Sequence, residues 1–364
     1  MYVKTLHLAV DTTNLGSAES RKAIAQAAEI LRNGGLVALP TETVYGLGAN
    51  ALDPDAVARI FEAKQRPSWD PVIVHIAGQV TSNPMLAQLV AQVPQTAQRL
   101  IEAFWPGPLT LLLPRSPAVP DSVTSGRPLV GIRMPAHPVA FELIQQAGVP
   151  VAAPSANIFG HLSPTTAEHV LEDLGGRIDA VLDAGPTRHG VESTVLDPCQ
   201  DPMMIYRPGA VTLDQIREIA GPVKIFADDK LRSSASPEAL PSPGVGLRHY
   251  APRARLVLVD APLHELPAKM AEAAVPHAKE RLGLMLPEEL ANSDLGAPLR
   301  AAAEFGWGRW ADPDEMAKTL YAGLRALDAQ GCTVILCPLP PPVGVGVAIC
   351  DRLRKAAHQV ENRR

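Results

Sequence analysis

Several signals are missing from this 364-residue chain, and each absence narrows what it does. No apolar run approaches the roughly 18 residues that a membrane span needs, and no signal peptide is visible. The four cysteines, Cys199, Cys332, Cys337 and Cys350, have no CxxC spacing and no nearby histidine ligands. Three of them lie in apolar segments and read as reduced core residues, so a cytoplasmic location is expected. No GxxxxGK[ST] loop occurs, which argues against a P-loop ATPase. Positive charge is not in excess either. A net charge of −5 gives no general electrostatic reason to bind nucleic acid. The two halves show no internal repeat, and no nucleophile stands with a base in a way that suggests a covalent intermediate.

What remains is an ordinary globular composition, 46% apolar and 20% charged, in a chain comfortable for two domains. The 36 prolines sit mostly at strand ends and turns and imply many fixed loops.

The stretch Leu36 to Ile76 is the expected centre. An apolar run ending at Pro40 reads as a short buried strand. Thr41-Glu42-Thr43-Val44-Tyr45-Gly46-Leu47-Gly48 follows and reads as a loop, too polar for core. Asp53-Pro54 is an N-cap with proline at the first helical position, and Val57, Ile60 and Phe61 give that helix an apolar face. It ends near Lys64-Gln65-Arg66-Pro67, since the residue before a proline is pushed out of the helical region. Two cations therefore leave a helix C-terminus beside a polar loop. They are open to two readings, a structural cap or a seat for an anion.

Elsewhere strands and helices alternate. Ser20–Asn33, Pro84–Val90, Pro94–Phe104 and His137–Ala147 read as helices, and Leu109–Leu113 and Leu129–Met134 as strands. Arg133 interrupts the second of these strands, where a charge needs a partner. Val149–Ala153 is a buried strand ending at Pro154-Ser155-Ala156-Asn157. Ser163-Pro164-Thr165 is expected to open a helix to Leu174, with Glu168 placed for a capping box from Thr165, and Thr212 with Gln215 forms a second box. Periodicity vanishes from Ala227 to Arg253, an expected interdomain linker. Beyond it, strands at Leu256–Val259, Leu282–Leu286 and Thr333–Cys337 alternate with helices at Leu263–Ala274, Asp312–Ala329 and Val345–Ala357. That pattern predicts a small α/β domain with a doubly wound parallel sheet.

Two glycine patterns, at Gly46 and Gly344, resemble dinucleotide fingerprints. The first has its glycines too far from its strand, and the second lacks the acidic residue of a following strand. The basic residues Arg352, Arg354, Lys355, Arg363 and Arg364 read as cations finishing a C-terminal helix rather than as an RNA patch. Arg133 and Arg207 each leave an apolar strand toward a turn. Singly they read as structural ion pairs; together with Lys64 and Arg66 they would make an anion-binding set.

The motifs PTETVYGLGA, KxRP followed by PVIVHI, WPGPLTLLL, VGIRMPAHP, APSAN, VESTV and YRPG stand in the order of a YrdC-like domain. With the later SPGVGLRHYAP, the chain resembles the two-domain branch of the threonylcarbamoyl-AMP synthase family. The resemblance implies an α/β fold: a YrdC-like twisted, mixed-sheet catalytic domain (1–226), a linker that acts as a lid (227–253), and a smaller Rossmann-like α/β domain (254–364). It implies an enzyme that joins L-threonine, bicarbonate and ATP, with Mg²⁺ accompanying the nucleotide, and that feeds the transferase machinery modifying tRNA. By the same resemblance Thr41, His75, Arg133 and Ser193 would bind L-threonine. Lys64 and Arg66 would serve catalysis, and with Ser155, Asn157, Ser163, Arg207 and Tyr250 would bind ATP. At Asp70-Pro71-Val72 the family is expected to have Asn-Pro-Leu. The exchange puts a charge beside the ATP cations, so weaker nucleotide binding is expected. Rival readings are the YrdC-like domain of hydrogenase maturation proteins, whose paired CxxC motifs are absent here, and a double-stranded RNA-binding module with weak RNA affinity.

Overall fold

The computed structural model describes residues 4–226, 250–291, 299 and 302–357. They fall into two compact units. One holds residues 4–159, 163–188 and 192–226; the other holds 160–162, 189–191 and the described residues from 250 onward. Of the segment expected to act as linker and lid, only 250–253 lies within the described residues.

The first unit is built on an eleven-stranded mixed sheet. Its strands are β1 (Leu6–Ala9), β2 (Val37–Leu39), β3 (Gly46–Asn50), β4 (Ile73–His75), β5 (Leu109–Pro114), β6 (Leu129–Arg133), β7 (Val151–Ala152), β8 (Ala180–Asp183), β9 (Thr194–Asp197), β10 (Met203–Arg207) and β11 (Val223–Ile225). They stand in the order β1-β8-β2-β3-β7-β4-β6-β5-β9-β10-β11. The central strands are covered on both faces, which is why they read as unbroken apolar runs: β2 and β4 are buried at every residue, β5 at all but its last. The helices are α1 (Ala18–Arg32), α2 (Pro54–Lys64), α3 (Pro84–Leu89), α4 (Gln95–Phe104), α5 (Asp121–Thr124), α6 (Pro138–Ala147), α7 (Ala167–Leu174) and α8 (Leu213–Ala220).

Helix α2 shows how local chemistry aims the site. The Asp53 carboxylate accepts from the N–H groups of Asp55 and Ala56, Pro54 fills the first turn, and Val57 and Ile60 bury the inner face. Gln65 then turns the chain in the left-handed region (φ 52°), which stops the helix and leaves Lys64 on its last turn.

The structure corrects two expectations here. The Thr41–Gly48 segment is not an exposed loop: Thr41, Glu42, Thr43, Tyr45 and Leu47 are all buried, and its second half enters β3. Its polarity is tolerated because the hydroxyls satisfy one another, Thr41 Oγ1 lying 2.8 Å from Thr43 Oγ1 and donating to the Val44 carbonyl at 2.7 Å. Gly48 is needed because a Cβ there would stand 2.8 Å from both Leu39 and Val151 side chains. Helix α7 starts later than expected, with Thr166 capping it and accepting from the His169 N–H. Thr165 meets His169 Nδ1 instead of forming a box with Glu168.

The second unit carries β12 (Arg255–Val259), β13 (Leu282–Leu286), β14 (Ala303–Gly306) and β15 (Val334–Pro338), with α9 (Leu266–Ala274), α10 (Pro313–Ala329) and α11 (Gly346–Ala357). Its four strands are all parallel, in the order β12-β15-β13-β14. Strand β14 was not expected, since only alternate residues of this edge strand are half-buried. Cys332, Cys337 and Cys350 are buried free thiols, and Cys199 is an exposed one.

Candidate active site

Arg133 is the last residue of β6, and its parallel neighbour β4 sets His75 opposite it in register. The guanidinium is buried, with a neighbour near each of its nitrogens. Nε points at the Gly107 carbonyl (3.3 Å), Nη1 donates to Thr43 Oγ1 (2.9 Å), and Nη2 lies 2.8 Å from Glu42 Oε1. The partner that a charge in an apolar strand requires is therefore Glu42. Burial raises the Glu42 pKa, but the Arg133 guanidinium, together with the N–H groups of Glu42 and Ala136 near the carboxylate, outweighs it and holds the carboxyl below its usual range. His75 is driven the other way. Burial, helped by the Arg133 charge, lowers its pKa to about 3, so its ring is neutral. Thr41, through its bond with Thr43, completes this end of the site.

The second group forms where α2 stops. Lys64 Nζ donates to the carbonyls of Ser155 and Asn157, both at 2.5 Å, so the last turn of α2 fixes the loop that leaves β7. Arg66 Nη2 lies 3.0 Å from Asp70 Oδ2 and donates to the Pro71 carbonyl at 2.7 Å, with the Phe159 ring 5.9 Å from its guanidinium carbon. Asp70 is the common neighbour of this group. Burial raises its pKa against the combined pull of Arg66, Lys64 and Arg207. Lys64 lies well below its ordinary pKa because it is buried and because Arg66 is close.

A fourth cation, Arg207, ends β10 beside the start of β9. It donates from Nε to the Ser193 carbonyl (3.1 Å) and from Nη2 to Ser193 Oγ (3.0 Å), and Ser193 Oγ is 2.8 Å from Thr110 Oγ1. The turn after Arg207 needs Gly209, where a Cβ would stand 2.4 Å from Glu192 O and Thr194 N. Ser163 Oγ donates to Glu192 Oε1 at 2.6 Å.

Ten of the expected residues thus lie in the first unit. Arg133, with Thr41 (through Thr43) and His75 beside it, forms one cluster; Lys64, Arg66, Ser155 and Asn157 form a second around Asp70, with Arg207 near it and holding Ser193; Ser163 sits apart, on Glu192. Tyr250 belongs to the second unit. Its ring is buried there, stacked on Tyr321 (6.0 Å between centroids) and 5.0 Å from the Arg352 guanidinium carbon. Glu42 and Glu192, which contact Arg133 and Ser163, are members of this candidate site that sequence reasoning did not single out. The only signal for Glu42 was a carboxylate set between two threonines that the fold then buries.

An α/β unit that brings four cations from three places in the chain to hydroxyls and buried carboxylates has the makings of an enzyme that holds anionic substrates in place. Comparison with known proteins makes this specific. A family model described as "Telomere recombination" (Sua5, YciO and YrdC) matches residues 29–209, and one described as "Threonylcarbamoyl-AMP synthase, C-terminal domain" matches 211–358. The threonylcarbamoyl-AMP synthase of Bacillus subtilis is 43% identical over 356 residues, 98% of each chain. That of Pyrococcus abyssi is 43% identical over 334 residues, 91% of this chain and 93% of the relative. The crystal structure of P. abyssi Sua5 complexed with L-threonine matches with a TM-score of 0.86 at 40% identity, covering 97% of this chain and 98% of that one. The chain belongs to the threonylcarbamoyl-AMP synthase family, and its fold is the mixed α/β architecture of that family's two-domain members.

Proposed function

We propose that this chain makes threonylcarbamoyl-AMP from L-threonine, bicarbonate and ATP, releasing pyrophosphate. The observation that carries the reading is the meeting, in one unit, of a guanidinium set among hydroxyls at Arg133 with a cation group around Asp70. Arg133, with Thr41, His75 and Ser193, holds the threonine carboxylate and its polar groups. The amino nitrogen bonds to the carbonate carbon and water leaves, giving an N-carboxylate. One of its oxygens attacks the α-phosphorus of ATP in line, and pyrophosphate departs from the opposite side. Lys64, Arg66 and Arg207 stabilise the charge that grows on the leaving group, and Ser155, Asn157 and Ser163 orient the nucleotide. The protein's part is mostly the alignment of three substrates, a contribution worth up to about 7–11 kcal/mol.

Mg²⁺ would enter with ATP as its counter-ion. Among the described residues no cluster of three His, Cys, Asp or Glu could hold a metal ion, and Asp70 is engaged by Arg66. Bound magnesium would neutralise phosphate charge. The product is a labile mixed anhydride, so its consumer is a transferase that moves the threonylcarbamoyl group to tRNA. A double-stranded RNA-binding role has less support, given the net charge of −5. No helix among the described residues is long and apolar enough to cross a membrane.

The test is pyrophosphate release from ATP with threonine and bicarbonate omitted in turn. Release should stop with either omission. Release that ignores threonine would overturn the assignment.

A further inference from the structure

The Glu42–Arg133 pair differs from the other buried ion pair of the site at its guanidinium. Arg66 reaches Asp70 while also bonding two main-chain carbonyls of the same loop, which makes a closed local arrangement. At Arg133, Nε and Nη1 have the Gly107 carbonyl and the Thr43 hydroxyl, yet the Nη2–Oε1 approach at 2.8 Å is a charge contact without hydrogen-bond alignment. The Glu42 side chain is 6% exposed, and neither of its oxygens accepts an aligned hydrogen bond from any described residue. The Arg133 guanidinium, the N–H of Glu42 itself and that of Ala136 all stand near enough to lower the carboxyl's pKa, but none makes an aligned bond to it. The Nδ1 atom of His75, within the electrostatic reach of both Glu42 and Arg133, is likewise buried without a hydrogen-bond partner among the described residues.

Ionised carboxylates accept from several directions, and a buried one left without donors is costly. The deficit at this place is one of donors. Glu42 Oε1 and Oε2 are acceptors, and His75 Nδ1 is an acceptor in one tautomer of its neutral ring. Arg133 would hold any small carboxylate. A free α-amino acid carries, two bonds from its carboxylate carbon, an ammonium with three N–H donors.

We propose that Glu42 receives the α-ammonium group of the incoming amino acid, so that Glu42 and Arg133 together select a zwitterion over a plain hydroxy acid. This deepens the functional reading above and rests on it. The carboxylate of the ligand lies against Arg133, its ammonium lies against the two Glu42 oxygens, and His75 Nδ1 takes up the remaining N–H. Arg133 alone supplies affinity for an anion; Glu42 supplies the discrimination.

The probes are L-threonine and 3-hydroxybutanoate, which is threonine without its amino group, titrated calorimetrically into the full-length chain. Wild type should bind threonine roughly 10- to 100-fold more tightly, the worth of one charge-assisted contact. Glu42→Gln keeps the side chain's size and removes its charge. It should bring the two affinities close together, chiefly by weakening threonine, with thermal melts showing that the variant is folded. Equal binding of the two probes by wild type overturns the inference without recourse to any variant. A Glu42→Gln protein that keeps the wild-type ratio, or loses both ligands equally, also overturns it and leaves Glu42 as a support for Arg133. Failure of wild type to bind threonine at all would overturn the functional reading together with this one.

Discussion

Both units bury charge, but they gather it differently. In the first unit the buried ionic groups come from segments far apart in sequence: Glu42 before β3, Lys64 and Arg66 at the end of α2, Asp70 before β4, Arg133 on β6, Glu192 and Asp197 at β9, and Arg207 on β10. In the second, the buried charged residues among those described are Arg352 and Lys355, both on α11, and both meet Asp351 of the same helix. Charge gathered within one helical turn is the kind a fold needs to finish a helix end. Gathering it from six segments carries the desolvation cost of many ions and brings the fold no matching local benefit. On the proposed function, the first unit is then the place where ligands replace water, and α11 keeps a structural role.

That contrast is open to attack from both sides. The largest effect is expected at the end of α2. Lys64→Ala and Arg66→Ala should each lower the rate of adenylate formation about a hundredfold or more, from loss of roughly 2–4 kcal/mol of stabilisation of the departing pyrophosphate. Steady-state turnover with circular dichroism as a control checks this, and wild-type turnover in a folded variant would remove that residue from the site.

A smaller effect concerns His75. Its folded pKa of about 3 lies below the ordinary 6.5, so below pH 6.5 the unfolded chain takes up a proton that the folded chain refuses. Stability is therefore full above pH 6.5 and is lost as pH falls toward 3, by about 1.4 kcal/mol per pH unit, or roughly 2 kcal/mol between pH 6.5 and 5. Urea titrations across that range should show this slope in wild type and a flatter one in His75→Asn. Parallel slopes would mean that the ring is protonated in the folded protein.

The other side of the contrast is Arg352. Arg352→Leu should cost about 1–3 kcal/mol of stability through the ion pair with Asp351 and the contact with Tyr250. It should leave the apparent constants for threonine and ATP unchanged. A rise in either constant without loss of stability would place α11 among the functional elements and dissolve the distinction between the units.

The sequence disclosed what is decided locally. Asp53-Pro54 starts α2, Thr212 and Gln215 form their capping box, Asp312-Pro313 starts α10, and Arg133 in an apolar strand demanded a partner. It did not disclose that partner. Whether Thr41 to Thr43 face water or core depends on β3 pairing with β2 and β7, a tertiary event that no spacing along the chain reports. The same limit hid β3 itself, whose glycines read as loop until Leu39 and Val151 are seen to leave Gly48 no room for a side chain. Edge strands β1 and β14 escaped because their alternating half-buried residues carry little apolar signal.

On the proposed function the first unit's buried charges are divided between two substrates, Arg133 serving threonine and Lys64 with Arg66 serving ATP. Apparent constants for both substrates in Arg133→Ala test it most directly. The threonine constant should rise at least tenfold, as befits a carboxylate that loses a charge-assisted partner, while the ATP constant stays close to wild type. An equal rise in both constants would contradict the division and assign Arg133 to the phosphates or to the fold.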